Sequence, residues 1–288
     1  MTGIGATGSP PLAELRQEGA VGWLTLTRPG KRNAINEEML DALLGLIAKV
    51  RQSRDIGVLV VAAQGPAFSA GIDFKSGLAM DKPEATAFDG LDGMRRQHEL
   101  IAAVHGLPQV TIAAIQGDAV GGGGFGLAMA CDLRYATAGA RFWMVPTSLH
   151  EVQDFGLTWL LQRYAGDART LEWVLTGEVV DAATALAHGL VQQVVPDPGS
   201  LIDLVTAKAA AITATTPDVV KLQKFSLRHG RENELGSQLD VEALASALCF
   251  RTDEFAGAMA AARSRLGKPQ DRPRNPQELP NDFVKPQE

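Results

Sequence analysis

Residues 116–132 read QGDAVGGGGFGLAMACD, with four consecutive glycines, Gly121 to Gly124, running into a short apolar helix that opens at Leu127–Ala130. Backbone without side chains lets a ligand come close. The N–H groups at a helix start also carry partial positive charge and aim outward. The segment is therefore suited to holding an anion or a developing oxyanion. Gly121, Gly123 and Gly126 also satisfy the GxGxxG spacing of dinucleotide sites. That reading is the poorer one, because the helix is too short before Asp132 and the motif sits mid-chain. No Gly-Lys-Ser/Thr follows, so a P-loop is excluded, and a plain flexible turn is the bland alternative.

Working outward, Val110–Ile115 (VTIAAI) and Gly57–Ala63 (GVLVVAA) are unbroken apolar runs, suited to strands covered on both faces. After the second run comes Ala67–Lys75 (AFSAGIDFK), where Gly71 permits a tight turn and Asp73 caps or orients the residues after it. Val21–Thr27 alternates like a half-buried strand and is broken by Arg28-Pro29-Gly30. Asn36 is placed to cap a helix whose first turns hold Glu37, Glu38, Met39 and Leu40. A longer helix is expected over about residues 90–105. Downstream, Leu133–Ala136 returns as a strand, 157–166, 168–176 and 181–188 read as helix, and Leu190–Val195 reads as a short strand. From about 199 to 268 the chain is nearly all helix. The expected division is a flexible leader (1–11), an α/β core (12–198), a helical C-terminal region (199–268) and a Pro-rich, disordered tail (269–288).

Composition narrows the function classes. Of 288 residues, 45% are hydrophobic and 21% charged, as in a globular chain able to bury a sizeable core. A net charge of −6 argues against nucleic-acid or anionic-membrane partners. Only two cysteines, Cys131 and Cys249, and no signal-like N-terminus point to a reducing, cytoplasmic setting. No apolar run reaches the ~18 residues of a membrane span, and no His/Cys cluster has metal-ligand spacing.

The two turn segments together resemble the enoyl-CoA hydratase/isomerase (crotonase) superfamily. Its signature is a Ser-Ala-Gly-x-Asp turn, here Ser69-Ala70-Gly71-Ile72-Asp73. A triple-glycine helix start with Leu-Ala-x-x-Cys-Asp then follows, here Gly122 to Asp132. Arg28-Pro29 with Arg32-Asn33-Ala34-Ile35-Asn36 resembles the family's first loop. Leu161 to Gly166, Leu175-Thr176-Gly177 and Gly189-Leu190-Val191 resemble later segments. The resemblance spans about residues 12–268. It implies a spiral of ββα units forming two roughly perpendicular sheets, with a helical C-terminal trimerisation region. It also implies homotrimers or homohexamers, an acyl-CoA thioester as partner, and no cofactor beyond the CoA of the substrate. Carried over, the backbone N–H groups of Ile72 and Gly123 form an oxyanion hole for the thioester carbonyl. Lys31, Arg32 and Lys75 are candidates for the CoA phosphates. Ala70, Asp73, Gly122, Phe125 and Thr147 fall around the substrate, and Phe125, Trp143, Phe155 and Trp159 are candidate lining of the acyl pocket, with core packing as their ordinary role.

The chain departs from the hydratase pattern where the chemistry is done. Typical hydratases carry a glutamate directly after the glycines and another after a proline. Here those positions are Gly126 and, after Pro146, Thr147. Asp154, in His150-Glu151-Val152-Gln153-Asp154, is the first candidate for proton transfer or nucleophilic attack, with Glu151 and His150 behind it. A helix N-cap is the competing role for Asp154. Isomerisation, elimination or hydration, and C–C cleavage are the expected reaction classes. A non-catalytic scaffold that kept the fold is the alternative.

Overall fold

The computed structural model describes residues 10–73, 75, 86–145 and 149–266. The expected leader lies almost wholly outside these residues, and the expected tail and Thr147 lie entirely outside them.

β1 (Ala13–Glu18) turns at Gly19 into β2 (Val21–Leu26), its antiparallel partner. α1 (Glu37–Gln52) starts where expected, with the Asn36 side chain accepting the Met39 N–H at 3.1 Å. β3 (Val58–Ala63), α2 (Ala87–His105) and β4 (Val110–Ile115) follow. After β5 (Ala119–Val120) the chain makes a π-helical turn, Gly122–Gly126, that runs into α3 (Leu127–Ala130). Next come β6 (Leu133–Thr137), β7 (Arg141–Trp143), α4 (Leu157–Ala165), α5 (Asp167–Thr176), β8 (Val180–Asp181), α6 (Ala182–Ala187), β9 (Gln193–Val195) and α7 (Pro198–Ile212). α8 (Pro217–His229), α9 (Leu235–Cys249) and α10 (Asp253–Leu266) complete the described chain.

The main sheet has six strands in the order β1-β2-β3-β4-β6-β9, parallel from β2 onward, and β5, β7 and β8 make a second, three-stranded sheet. The unbroken apolar character of β3 and β4 has a simple cause: both faces are covered. Leu59, Val61, Ala113 and Ile115 join the core that α1 and α2 supply through Met39, Leu43, Ile47, Leu100 and Val104. Val58, Val60, Ile112 and Ala114 face the other way, toward Leu201, Val205 and Ala209 of α7. Each buried Val, Leu, Ile or Met among these contributes about 1.5–3 kcal/mol, against which the entropy of ordering the chain is set.

Two compact units are present, one running to Phe225 and the other starting at Ser226. The first unit thus extends past the boundary after residue 198 expected from sequence, because α7 packs on the main sheet. The start of α8 is also fixed to this unit. Lys224 is buried, donates to the Gln109 carbonyl at 2.6 Å, and pairs with Asp132 at 2.5 Å. In the second unit α9 has no buried residue, and Leu235, Leu239, Leu244 and Leu248 are all exposed. No helix among the described residues is long and apolar enough to cross a membrane.

Candidate active site

The loop after β2 locks the turn after β3. Asn33 is fully buried in the left-handed region, φ 55°. Its amide donates to the carbonyls of Gln64 at 2.9 Å and Ala67 at 3.0 Å, and its Oδ1 accepts the Arg28 N–H at 2.9 Å. Ser69 Oγ donates to the Asn33 carbonyl at 2.8 Å and accepts the Gly71 N–H at 3.2 Å. Arg28 reaches across to Asp73, 2.6 Å away, and its hydrogen bond holds the Asp73 carboxyl below the usual range. Ile35 brackets Ile72: the Ile35 N–H donates to the Gly71 carbonyl at 2.8 Å and the Asp73 N–H donates to the Ile35 carbonyl at 2.9 Å. A trans peptide sets the Ile72 N–H opposite the Gly71 carbonyl, so it points away from Ile35.

The glycine turn sits against this one. The Val120 N–H donates to the Ser69 carbonyl at 2.9 Å, pairing the two segments as short parallel strands. Gly71 has φ 86°, and a Cβ on it would lie 2.7 Å from the Val120 carbonyl oxygen. A Cβ on Gly124 would lie 2.4 Å from the Ser69 oxygen, and one on Gly123 only 3.0 Å from the Gly71 carbonyl carbon. Bare backbone is thus required on both sides of the contact. It brings Gly123, at a helix start whose first N–H groups have no intrahelical acceptor, beside the Gly71–Ile72 peptide. The two amides singled out from the sequence are neighbours in space.

The third segment is the loop before α4. Phe155 lies over the glycine turn: a Cβ on Gly122 would fall 1.9 Å from its ring, and a Cβ on Gly126 3.0 Å from its Cβ and 3.2 Å from its carbonyl oxygen. The position where the resemblance expects the first hydratase glutamate is therefore closed by Phe155. Asp154, half-buried, precedes it. Desolvation, with the charge of Glu151 adding to it, pushes the Asp154 carboxyl from its ordinary 3.8 up to about 7. The helix-cap role weighed for Asp154 is not the one observed. The N-cap of α4 is Gly156, and Asp154 meets the helix through its backbone carbonyl, which accepts the Leu157 N–H at 3.0 Å. His150 is exposed with φ 58°, and Glu151 is half-buried.

Lys31, Arg32 and Lys75 are exposed. They flank Asp73: Lys31 acts on its charge, Lys75 donates its backbone N–H to it at 3.2 Å, and the Arg32 carbonyl accepts the Ala70 N–H at 2.8 Å. Phe125 is fully buried and packs on Phe142, ring centroids 5.1 Å apart. Trp143 is half-buried, and Trp159 is exposed beneath the Arg163 guanidinium. Two residues escape a reading by sequence. His98 of α2 contacts Phe155, and burial lowers its pKa. Gln153 is buried, and neither of its amide atoms has a partner among the described residues. Neither belongs to a motif, and no spacing marks them.

Comparison with known proteins fits this architecture. A family model described as enoyl-CoA hydratase/isomerase matches residues 16–264. The short-chain-enoyl-CoA hydratase of Clostridium acetobutylicum is 32% identical over 250 residues, 86% of this chain and 92% of that protein. The mitochondrial Delta(3,5)-Delta(2,4)-dienoyl-CoA isomerase of Rattus norvegicus is 29% identical over 248 residues, 83% of this chain and 75% of its own. Among solved structures, a Thermobifida fusca YX protein crystallised in complex with CoA superposes with a TM-score of 0.76 at 28% identity, covering 86% of this chain and 95% of that one. The fold, its paired glycine turns and these matches place the chain in the enoyl-CoA hydratase/isomerase family, within the crotonase superfamily.

Proposed function

We propose that the protein is an acyl-CoA-processing enzyme that holds a thioester enolate between the backbone N–H groups of Ile72 and Gly123, with Asp154 moving the proton. The observation that carries this reading is the packing of Gly123 against the Gly71–Ile72 peptide, where no side chain fits between the two amides. Two preorganised donors aimed at a developing oxyanion contribute about 3–4 kcal/mol each to the barrier. The family membership and the CoA bound to the Thermobifida relative support the thioester as substrate. The exposed Lys31, Arg32 and Lys75 suit the CoA phosphates.

Asp154 is the acid–base group in this proposal because its pKa of about 7 lets it both take and return a proton near neutral pH. One carboxylate so placed fits double-bond isomerisation best. It removes a proton from C2 of a 3-enoyl-CoA, and the electron pair delocalises onto the thioester oxygen as a dienolate. The same carboxyl then returns the proton to C4, leaving the 2-enoyl thioester. Elimination and C–C cleavage need the same enolate, and hydration would recruit Glu151. The chemistry asks for no metal or redox cofactor.

Asp154→Asn keeps the shape and removes the charge. On a panel of 3-enoyl-, 2-enoyl- and 3-hydroxyacyl-CoA thioesters, turnover of the preferred member is expected to fall 10²–10⁴-fold, as for loss of a general base. Turnover that survives Asp154→Asn within about threefold while Glu151→Gln abolishes it would reassign the role to Glu151. No turnover of any member, with folded protein, would favour the scaffold.

A further inference from the structure

The peptide joining Asp154 to Phe155 is gripped from α2. The Phe155 N–H donates to His98 Nε2 at 3.4 Å, and the imidazole meets the Phe155 ring edge-on, with centroids 5.0 Å apart and planes at 76°. Phe155 has φ 51°, in the left-handed region, where a side chain of its size sits at a cost. Gly156 follows with φ 72°. The consecutive positive φ values make a sharp reversal between Asp154 and α4, closed by the Leu157 N–H on the Asp154 carbonyl, and two contacts from outside the turn hold it. One is the Phe155 ring on Gly122; the other is the hydrogen bond to His98. The bond requires Nε2 to be bare and the ring proton to sit on Nδ1.

The Phe155 N–H and the Asp154 carbonyl belong to one planar unit. Fixing that N–H from α2 fixes ψ of Asp154, and with it the direction in which the Asp154 Cα presents its carboxyl group. Burial of His98 favours the neutral ring that this contact needs. Among the described residues, no charged group forms an ion pair with the imidazole. On α2 the neighbouring Arg96 is engaged by Glu99 and by Asp41 of α1, and Arg95 by Asp92. α3 carries no charge, and on α4 the first charged residue is Arg163. The loop contributes Glu151 and Asp154 themselves.

We propose that His98 is a positioning residue for Asp154, acting through the Phe155 peptide and touching no substrate. The inference rests on the reading of Asp154 as the proton-transfer group. An acceptor at the Nε2 position is the part that matters, so a glutamine, whose Oε1 reaches a similar place, should replace the histidine and a leucine should not.

The test compares wild type, His98→Leu, His98→Gln and Asp154→Asn on trans-3-hexenoyl-CoA, measuring kcat and KM, together with the Phe155 amide proton by NMR. For His98→Leu, kcat is expected to fall about 10–100-fold with KM within about threefold of wild type, and the Phe155 amide resonance to shift. His98→Gln should recover kcat to within about fivefold and restore the resonance toward its original position. An inactive Asp154→Asn beside a fully active His98→Leu overturns this proposal alone. A His98→Gln enzyme as impaired as His98→Leu also overturns it, since the acceptor would not be the needed part. An active Asp154→Asn overturns the reading beneath it and the proposal together, and the unchanged Phe155 signal in that variant separates this failure from a misplaced loop.

Discussion

Asp154 departs furthest from its ordinary chemistry among the residues of the candidate site, and that departure has a consequence independent of any substrate. Its carboxyl is pushed up to about 7 in the fold against 3.8 ordinarily, through burial first and the charge of Glu151 second. Between those values the folded state holds a proton that the unfolded chain has lost. The group therefore favours the fold fully below pH ~3.8, and that contribution disappears as pH rises to ~7. Asp154→Asn has no such titration. From pH 5 to pH 8, Tm of wild type should fall relative to that of Asp154→Asn, with the variant the more stable at pH 8. Parallel Tm curves would show that the carboxyl is not perturbed. At this scale the sequence was legible where a motif carried the residue: Ile72 and Gly123 lie inside glycine-marked turns, and the two turns are in contact in the fold. His98 was illegible. It sits mid-helix in MRRQHELI, and its partner is a backbone N–H far along the chain, which no sequence pattern announces.

Elements buried on both faces declared themselves, because burial on both sides demands unbroken apolar runs; β4 is found at the expected Val110–Ile115. Val58–Ala63 and the cap at Asn36 obey the same logic of local chemistry matching global position. β1 reads AELRQE and is an edge strand with one buried residue, so alternation is weak. β5 and β8 have two residues each and β7 three, too short for any period. α9 presents the opposite case, a helix with apolar residues and no buried one. Leu235, Leu239, Leu244 and Leu248 are 74%, 54%, 66% and 54% exposed. An apolar helix left open to water implies a covering surface. We propose that copies of this chain supply it, as a homotrimer or a pair of trimers. Multi-angle light scattering should return three or six times 30.5 kDa, and a monomer alone would contradict this.

Across the whole first unit, the loops of the candidate site leave the same end of the main sheet. β2, β3 and β4 are adjacent and parallel. The Arg28–Asn36 loop follows the end of β2, the Ser69–Asp73 turn follows β3, and the glycine turn follows β4 by way of β5. Parallel strands deliver their following loops to one edge, which is where open α/β sheets place ligands. Asn33, Arg28 and Ser69 tie the first two loops together, the Val120–Ser69 bond ties the third, and Phe155 closes over it. In the proposed mechanism this corner stabilises a thioester enolate and Asp154 moves its proton. NMR of trans-3-hexenoyl-CoA in D2O at neutral pD follows loss of the C2 proton, whether it is exchanged for deuterium or passed to C4, and so measures that step directly. With wild type, loss of the C2 proton is expected far above the enzyme-free rate, and with Asp154→Asn it is expected to slow 10²–10⁴-fold. Loss of the C2 proton at the enzyme-free rate with folded wild-type protein that binds the thioester, or loss undiminished in Asp154→Asn, would contradict this mechanism.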